Sequence, residues 1–367
     1  MPDYMKEKPR RNSTNGTFEL TVRCNLHCKM SLFRHADSEN GVLLEKELTA
    51  QQWIELAKQA AEAGTIKLLI TGGEPMLRND FCEIWEGIYQ QGFILELYTN
   101  ATLVDEKILS TLKKYPPHKI GITIYGASEE TYDKVCGNAE AYKKMIAGVN
   151  RLLALPSVFE FRTTIIKDNL EDINKIEELV HRKFGEQYVL VQSRIVNKPV
   201  RGACGDISCR LDPVDNVRLA YRRAVNLIKE KTGSDFKEKY IHLEQMESSN
   251  QKVNFQKPTL LGCEAGMTSY TLSYDGKLLG CQILGAFFTD AVKDGFQQAW
   301  EKFPLQVKLP PLNEKCQKCD MIDFCHCCFA SRFAETGDLG GFPEYICNDT
   351  MIVKHLMEKG GFTDENE

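Results

Sequence analysis

The chain lacks any apolar run approaching the ~20 residues that a bilayer-spanning helix needs. Its N-terminus has no apolar core of a secretory signal. A cytoplasmic location without a membrane partner is therefore expected. Basic residues are in no excess, with 46 Lys and Arg against 51 Asp and Glu for a net charge of −5, which argues against a nucleic-acid partner. Histidine is scarce, at 7 residues, and no two are spaced as paired zinc ligands. There is no internal repeat and no low-complexity segment. What the chain has in abundance is cysteine, 14 in 367 residues, eight of them from Cys263 onward. In a chain of this length with no signal, that usage points to metal sites rather than a disulfide framework.

Residues 1–16 read as a polar tail, with its positives between Lys6 and Arg11. Strand-like and helix-like segments then alternate. Strands are expected at Thr17 to Arg23, Ile66 to Thr71, Phe93 to Thr99, Lys119 to Tyr125, Val158 to Ile166 and Tyr188 to Ile195. Thr49 with Gln52 forms a capping box for a helix that stops near Gly64, and Asn169 is a fair N-cap for another. Further helical patterns fall near 79–91, 104–114, 139–153 and 169–183. About six β/α units argue for an α/β fold with a parallel sheet and covering helices. The Gly- and Pro-bearing stretch 196–212 reads as a loop, followed by a charged helix near 213–232 and a polar connector to about 260. Asp275-Gly276 reads as a hairpin turn between Ser269–Ser273 and Lys277–Cys281.

Several stretches carry chemistry. Cys24-x-x-x-Cys28-x-x-Ser31 follows the first strand. Thr71-Gly72-Gly73-Glu74-Pro75 ends the second, where glycines let a ligand approach the backbone. Tyr98-Thr99-Asn100-Ala101-Thr102 ends the third and Ile122-Thr123-Ile124-Tyr125-Gly126 the fourth. Asn100 reads equally well as a helix cap. Arg162 lies on the fifth strand and reads either as a carboxylate ligand or as the partner of a barrel glutamate. Cys82 and Cys136, in helix-like segments, read as small buried hydrophobes. Near the C-terminus come Cys263, Gly276, Cys281, Cys316-x-x-Cys319-x5-Cys325, Cys327, Cys328 and Cys347.

Together these motifs resemble the radical S-adenosylmethionine (SAM) enzymes, whose hallmark is C-x-x-x-C-x-x-C. The resemblance spans roughly residues 17–350. It implies a partial (β/α)6 TIM-like barrel over 17–212, with its active residues at the C-terminal ends of the strands. It also implies a [4Fe-4S] cluster on Cys24, Cys28 and Ser31, SAM chelated to the open iron, and a 5′-deoxyadenosyl radical that abstracts hydrogen from substrate. Gly72, Gly73 and Glu74 would then meet the SAM amino group, with Thr99, Asn100, Thr123 and Arg162 as further SAM contacts. Serine at position 31 departs from the pattern, since soft thiolates suit iron–sulfur clusters better than a hydroxyl does. Three accounts fit it: an engineered inactive variant, a natural degenerate enzyme, or a cluster with an oxygen ligand. The intact surroundings favour the first.

The C-terminal set resembles the SPASM extension of the same family, C-x9-15-G-x4-C followed by C-x2-C-x5-C-x3-C and a last cysteine. Cys263, Gly276, Cys281, Cys316, Cys319 and Cys325 fit that spacing, and Phe329 stands where the next cysteine belongs, so Cys328 or Cys327 substitutes. The resemblance implies a cysteine-rich module over 261–367, after a helical connector at 213–260. It would hold two auxiliary [4Fe-4S] clusters. One would take Cys316, Cys319, Cys325 and Cys347. The other would take Cys263, Cys281 and Cys328 or Cys327, with an open iron for a substrate thiol or with Cys204 or Cys209 as fourth ligand. A zinc ribbon is the competing reading, disfavoured by the number of cysteines. The implied activity is peptide or protein modification, foremost a thioether or other crosslink in a ribosomal peptide. An anaerobic sulfatase-maturating, formylglycine-forming enzyme and a non-catalytic SAM- or peptide-binding protein are the alternatives. Implied partners are a peptide or protein substrate and a one-electron reductant such as flavodoxin or ferredoxin. The cluster loop begins by residue 24, so no leader-recognition domain is expected ahead of it. Protein purified anaerobically should contain iron and acid-labile sulfide by colorimetric assay; zinc alone would overturn the metal assignment.

Overall fold

The computed structural model describes residues 11–33, 35–202, 207–232, 259–322, 325 and 327–359. The chain folds into two units. The first comprises Met1–Arg210 and Glu264–Lys308, and the second Leu211–Cys263 and Leu309–Glu367.

The first unit is built on a nine-stranded sheet. Its strands are β1 (Asn15–Glu19), β2 (Lys67–Thr71), β3 (Ile94–Thr99), β4 (Lys119–Thr123), β5 (Val158–Thr164), β6 (Leu190–Ser193), β7 (Ser269–Leu272), β8 (Lys277–Leu279) and β9 (Phe288–Asp290). Strands β1 to β6 run parallel and in chain order across the sheet, giving the partial (β/α)6 barrel. The connecting helices are α1 (Asn40–Lys46), α2 (Ala50–Glu62), α3 (Phe81–Tyr89), α4 (Glu106–Lys114), α5 (Glu129–Cys136), α6 (Ala141–Leu152) and α7 (Ile173–Phe184).

The strands form where β-rich apolar runs can be covered by helices. Phe18 of β1 is fully buried and packs on Trp53 of α2, ring centroids 5.1 Å apart. Phe161 of β5 stacks on Phe184 of α7 at 5.0 Å. The opposite face of the strands is charged and internally neutralised. Lys67 pairs with Glu96, Lys119 with Glu96 and Glu160, and Arg162 with Glu160. Capping is local: Thr49 and Gln52 form the expected box on α2, and Asp105 caps α4 through Ile108 N.

Two expectations change here. The helix after β5 begins at Ile173, and Lys167–Asp172 forms a 3-10 turn. Asn169, buried, accepts from Ile166 N at 2.8 Å within that turn and donates to Tyr125 O and Thr164 O at 3.1 Å, so it ties the ends of β4 and β5 together, and the residue before the α-helix is Asp172. The hairpin at Asp275-Gly276 forms, with Gly276 at φ 81°, but it belongs to the first unit and not to the C-terminal module. The reason is register: β7 lies parallel to β1 from Asn15↔Ser269 to Phe18↔Leu272, and β8 and β9 continue the sheet antiparallel.

In the second unit, α8 (Pro213–Thr232) packs on a C-terminal helix, Glu344–Lys359. Asn216 donates to Asp349 at 2.5 Å and the Tyr345 hydroxyl to Leu211 O at 2.9 Å. The polar connector expected before residue 260 lies mostly outside the described residues. Phe18→Ala should cost about 3–5 kcal/mol, the usual range for a buried aromatic. It should appear as a lower denaturant midpoint at unchanged slope.

Candidate functional site

At the C-terminal ends of β1 to β4 lies a cavity of about 240 Å³, somewhat below the usual ~300–1,000 Å³ of small-molecule pockets. It is lined by Cys24, Cys28, Ser31, Gly72, Gly73, Thr99, Asn100 and Thr123, among others. So eight of the residues singled out from separate stretches of sequence meet around one space. Glu74 and Arg162 do not line it.

The loop bearing the cysteines is seated by backbone. After β1 the chain stays extended, with Leu20 N on Thr71 O at 3.0 Å. Gly73 N then donates to Thr21 O at 2.7 Å and Glu74 N to Arg23 O at 3.0 Å. The glycines are needed for this crossing. A Cβ on Gly72, at φ 141°, would stand 2.2 Å from Thr21 O, and one on Gly73 2.2 Å from Arg23 O. The close approach that these glycines permit is thus to the cysteine loop itself. On the other side, His27 N donates to Cys136 O at 2.9 Å and Lys29 N to Val135 O at 3.1 Å, fixing the loop to the end of α5. Lys29 also pairs with Asp168 at 2.7 Å.

Glu74 is fully buried and points into the protein. It accepts from Met76 N at 3.1 Å, from the Thr99 hydroxyl at 2.9 Å and from Asn100 N at 2.8 Å. It therefore shapes both glycine turn and β3 terminus. Asn100 is not a helix cap. Its Oδ1 accepts from Thr102 N at 2.9 Å, and its Nδ2 donates to Asn25 Oδ1 at 3.0 Å and toward Cys24 Sγ at 3.8 Å. Ala101 sits at φ 58° in that turn, a conformation glycine adopts more easily. Ser31 Oγ accepts from Phe33 N at 3.2 Å. Arg162 is engaged by Glu160 at 3.3 Å and lies 4.6 Å over the Tyr98 ring, the arrangement of a barrel ion pair.

Sequence reasoning missed three features. Cys136, read as a small hydrophobe, is buried with its thiol hydrogen-bonded to Cys28. Tyr125, half-buried on the cavity wall, also bonds Cys28. Arg201, from the loop after β6, grips buried Glu19 of β1 at 2.9 and 2.5 Å. Only the first two carried a sequence signal, their nearness to strand or helix ends beside the site.

Electrostatically the site disfavours negative charge. Burial pushes the Cys24 thiol up, and neighbouring Cys28 and Glu74 add to it. Burial likewise raises Cys136 and Tyr125. A coordinated cation reverses this, because it deprotonates thiols outright. Among the described residues, no three His, Cys, Asp or Glu converge as ligands of a single metal ion. An iron–sulfur cluster does not require that, since its ligands go to separate irons. A buried thiol, a half-buried thiol and a hydroxyl on one cavity fit such a cluster.

A second cavity, about 40 Å³, lies within the second unit and is lined by Cys316, Cys319, Cys325 and Cys347. Cys327 and Cys328 lie outside it. The Cys328 thiol instead accepts from Ser331 N at 3.4 Å as the N-cap of helix Phe329–Thr336. Cys263 is exposed at the edge of the second unit, whereas Cys281 and Cys209 belong to the first. All described cysteines are free thiols. Cys204 lies outside the described residues.

Residues 18–180 match the Radical SAM superfamily. The chain carries a radical SAM domain. That match spans residues 18–180 of the 367, and a domain of this kind implies a [4Fe-4S] cluster and SAM. Among curated proteins, the chain is 26% identical to the AdoMet-dependent heme synthase of Methanosarcina barkeri, over 88% of this chain and 92% of that protein. Among solved structures, Streptococcus suis SuiB bound to S-adenosylmethionine superposes with TM-score 0.68 at 16% identity, covering 94% of this chain and 79% of SuiB. The protein anSMEcpe with bound AdoMet gives 0.64 at 14%, covering 95% and 98%. These likenesses show a shared fold that extends beyond the matched domain. No described helix is long and apolar enough to cross a membrane.

Burial raises Glu74 from its ordinary value near 4.5 to about 7, against the opposing pull of its three donors. A carboxyl whose folded pKa is raised contributes its full stability below about 4.5 and loses it as pH climbs through about 7. Unfolding free energy of the metal-free chain should therefore decline between these pH values. Glu74→Gln should flatten that decline while lowering stability by about 2–4 kcal/mol, because donors are left unmatched. Denaturant titrations across the pH range check both.

Proposed function

We propose that this chain is a radical SAM enzyme that modifies a peptide or protein, foremost by forming a crosslink after hydrogen abstraction. The observation that carries the reading is the convergence of the cysteine loop, the glycine turn and the β3 and β4 termini on one cavity. Cys24, Cys28 and Ser31 would hold the SAM-binding cluster. Bound there, cluster and SAM supply the electron and the sulfonium from which a substrate-activating radical derives. The protein's own contribution is placement. Gly72 and Gly73 offer backbone to the SAM amino group, and Thr99, Asn100 and Thr123 offer polar atoms to the rest of SAM. Glu74 fixes the turns that carry those groups. Arg162, held by Glu160, orders the strand face beneath and reaches SAM only by leaving that partner. Tyr125 and Cys136 back the cluster loop through their bonds to Cys28.

The four cysteines Cys316, Cys319, Cys325 and Cys347 would bind one auxiliary [4Fe-4S] cluster of a SPASM-type module. Of the cysteines expected to hold a second cluster, Cys281 and Cys209 belong to the first unit and Cys263, Cys327 and Cys328 to the second. The peptide class draws support from SuiB solved with the precursor peptide SuiA and anSMEcpe solved with the Cp18Cys peptide. A reductant such as flavodoxin or ferredoxin would supply electrons.

A second reading is favoured by a different observation. The sequence match to a heme synthase runs nearly end to end, so an iron tetrapyrrole is the alternative substrate class. Anaerobic reconstitution with SAM and dithionite should yield little 5′-deoxyadenosine from this chain and at least ~10-fold more from Ser31→Cys, a barrier change of about 1.4 kcal/mol. No gain would overturn the enzymatic reading in favour of a SAM- or peptide-binding protein. With the active variant, a candidate peptide losing two hydrogens by mass spectrometry supports peptide crosslinking. Formylglycine in the product supports sulfatase maturation, and turnover of an iron tetrapyrrole alone supports the heme-like reading.

A further inference from the structure

Arg332 is the one residue lining the second unit's cysteine cavity that carries a guanidinium. It lies on helix Phe329–Thr336 and is 1% exposed. Its Nη1 donates to Cys316 Sγ at 3.1 Å and to Gly341 O at 3.1 Å. Its Nε is buried without a partner. No carboxylate among the described residues pairs with it.

A buried guanidinium with no acidic partner is costly, because desolvation of the charge is left uncompensated. Arginine cannot escape that cost by losing its proton. Negative charge must therefore come from elsewhere in the cavity, and among the described residues the other ionisable groups there are four cysteines and Lys315. Lys315 is of the same sign. Thiolates are the remaining counter-charge, and four together are stable in a buried space only when they ligate a cation.

We infer that Arg332 is part of the auxiliary cluster site: its guanidinium donates a hydrogen bond to the Cys316 thiolate and holds the cluster at a higher reduction potential than the four cysteines would alone. This rests on the cluster assignment for Cys316, Cys319, Cys325 and Cys347 proposed above. The physical basis is simple. Reduction adds one negative charge, a nearby fixed cation favours the more negative state, and hydrogen bonds to the ligating sulfur act the same way. The energetics of Arg332 close only with the cluster present, so the cation also favours cluster uptake.

The test uses the full chain with Cys24→Ala, Cys28→Ala, Cys263→Ala and Cys281→Ala, which removes the SAM-binding set and the second auxiliary set and leaves iron at Cys316, Cys319, Cys325 and Cys347 alone. If that chain takes up no iron and sulfide on anaerobic reconstitution, the cluster assignment itself fails. If it does take them up, redox titration followed by electron paramagnetic resonance reads the midpoint. Arg332→Met should move the midpoint to more negative potential, and Arg332→Lys should move it less, because charge is kept while the fork is lost. An unchanged midpoint in a fully loaded Arg332→Met chain overturns the inference but spares the assignment. Should Arg332→Met fail to fold or load, a variant-free measurement decides. Isotopically labelled arginine in the parent chain should give a weak guanidinium-nitrogen coupling to the reduced cluster, and its absence overturns the role.

Discussion

Two backbone hydrogen bonds, from Gly73 and Glu74 to the carbonyls of Thr21 and Arg23, govern everything at the mouth of the barrel. They force the turn after β2 against the segment after β1 so closely that no side chain fits between. The cysteine loop begins at the point of contact. Its position is thus inherited from the parallel register of β1 and β2, not from the thiols themselves. The loop's far side is pinned by the end of α5. A segment held at both ends by main chain keeps its shape whatever its side chains engage. This is how a serine at position 31 can sit in surroundings that are otherwise complete.

Charge is treated differently at the two ends of the strands. Near the strand starts and middles, Lys67, Glu96, Lys119, Glu160 and Arg162 neutralise one another. Toward the mouth, the buried acids are Glu74, supported by neutral donors, and Glu19, supported by Arg201. Burial raises both, and for Glu19 the arginine opposes the rise. Arg23, Arg78 and Lys29 are all committed to carboxylates. Specific recognition at the mouth therefore falls mainly to neutral groups, namely amides, hydroxyls and main chain. Such groups suit a zwitterionic ligand like the methionine end of SAM better than a bare anion.

Much of this was legible in the sequence because it is local. The strands β2 to β6 announce themselves as short apolar runs, and the capping box of Thr49 and Gln52 needs only four residues. The glycine turn and cysteine loop were readable by motif. Helix α5 was passed over although its signals were present: Ser128 as N-cap, two glutamates in its first turn, and Gly137 at its end. Its polar composition hid it. The Arg201–Glu19 pair, 182 residues apart, and the pairing of β7 with β1 had no local trace at all. Arg162 and Glu74 show a third kind of limit. Their types marked them as ligand contacts, but which way each points depends on partners from other strands.

The seat of β1 between β2 and β7 has a consequence for how the unit comes into being. Its strand at residue 15 is flanked on one side by residue 67 and on the other by residue 269. Until the later segment has been synthesised, β1 presents an open edge of unpaired amides beside the loop that carries the first thiols. An open edge of that kind is a hazard for off-pathway pairing, and closing it spans more than two hundred positions of chain, which slows the search. The arrival of β7 and the closing of the edge beside the cysteine loop are in this way a single event, which waits on a segment more than two hundred residues further along the chain.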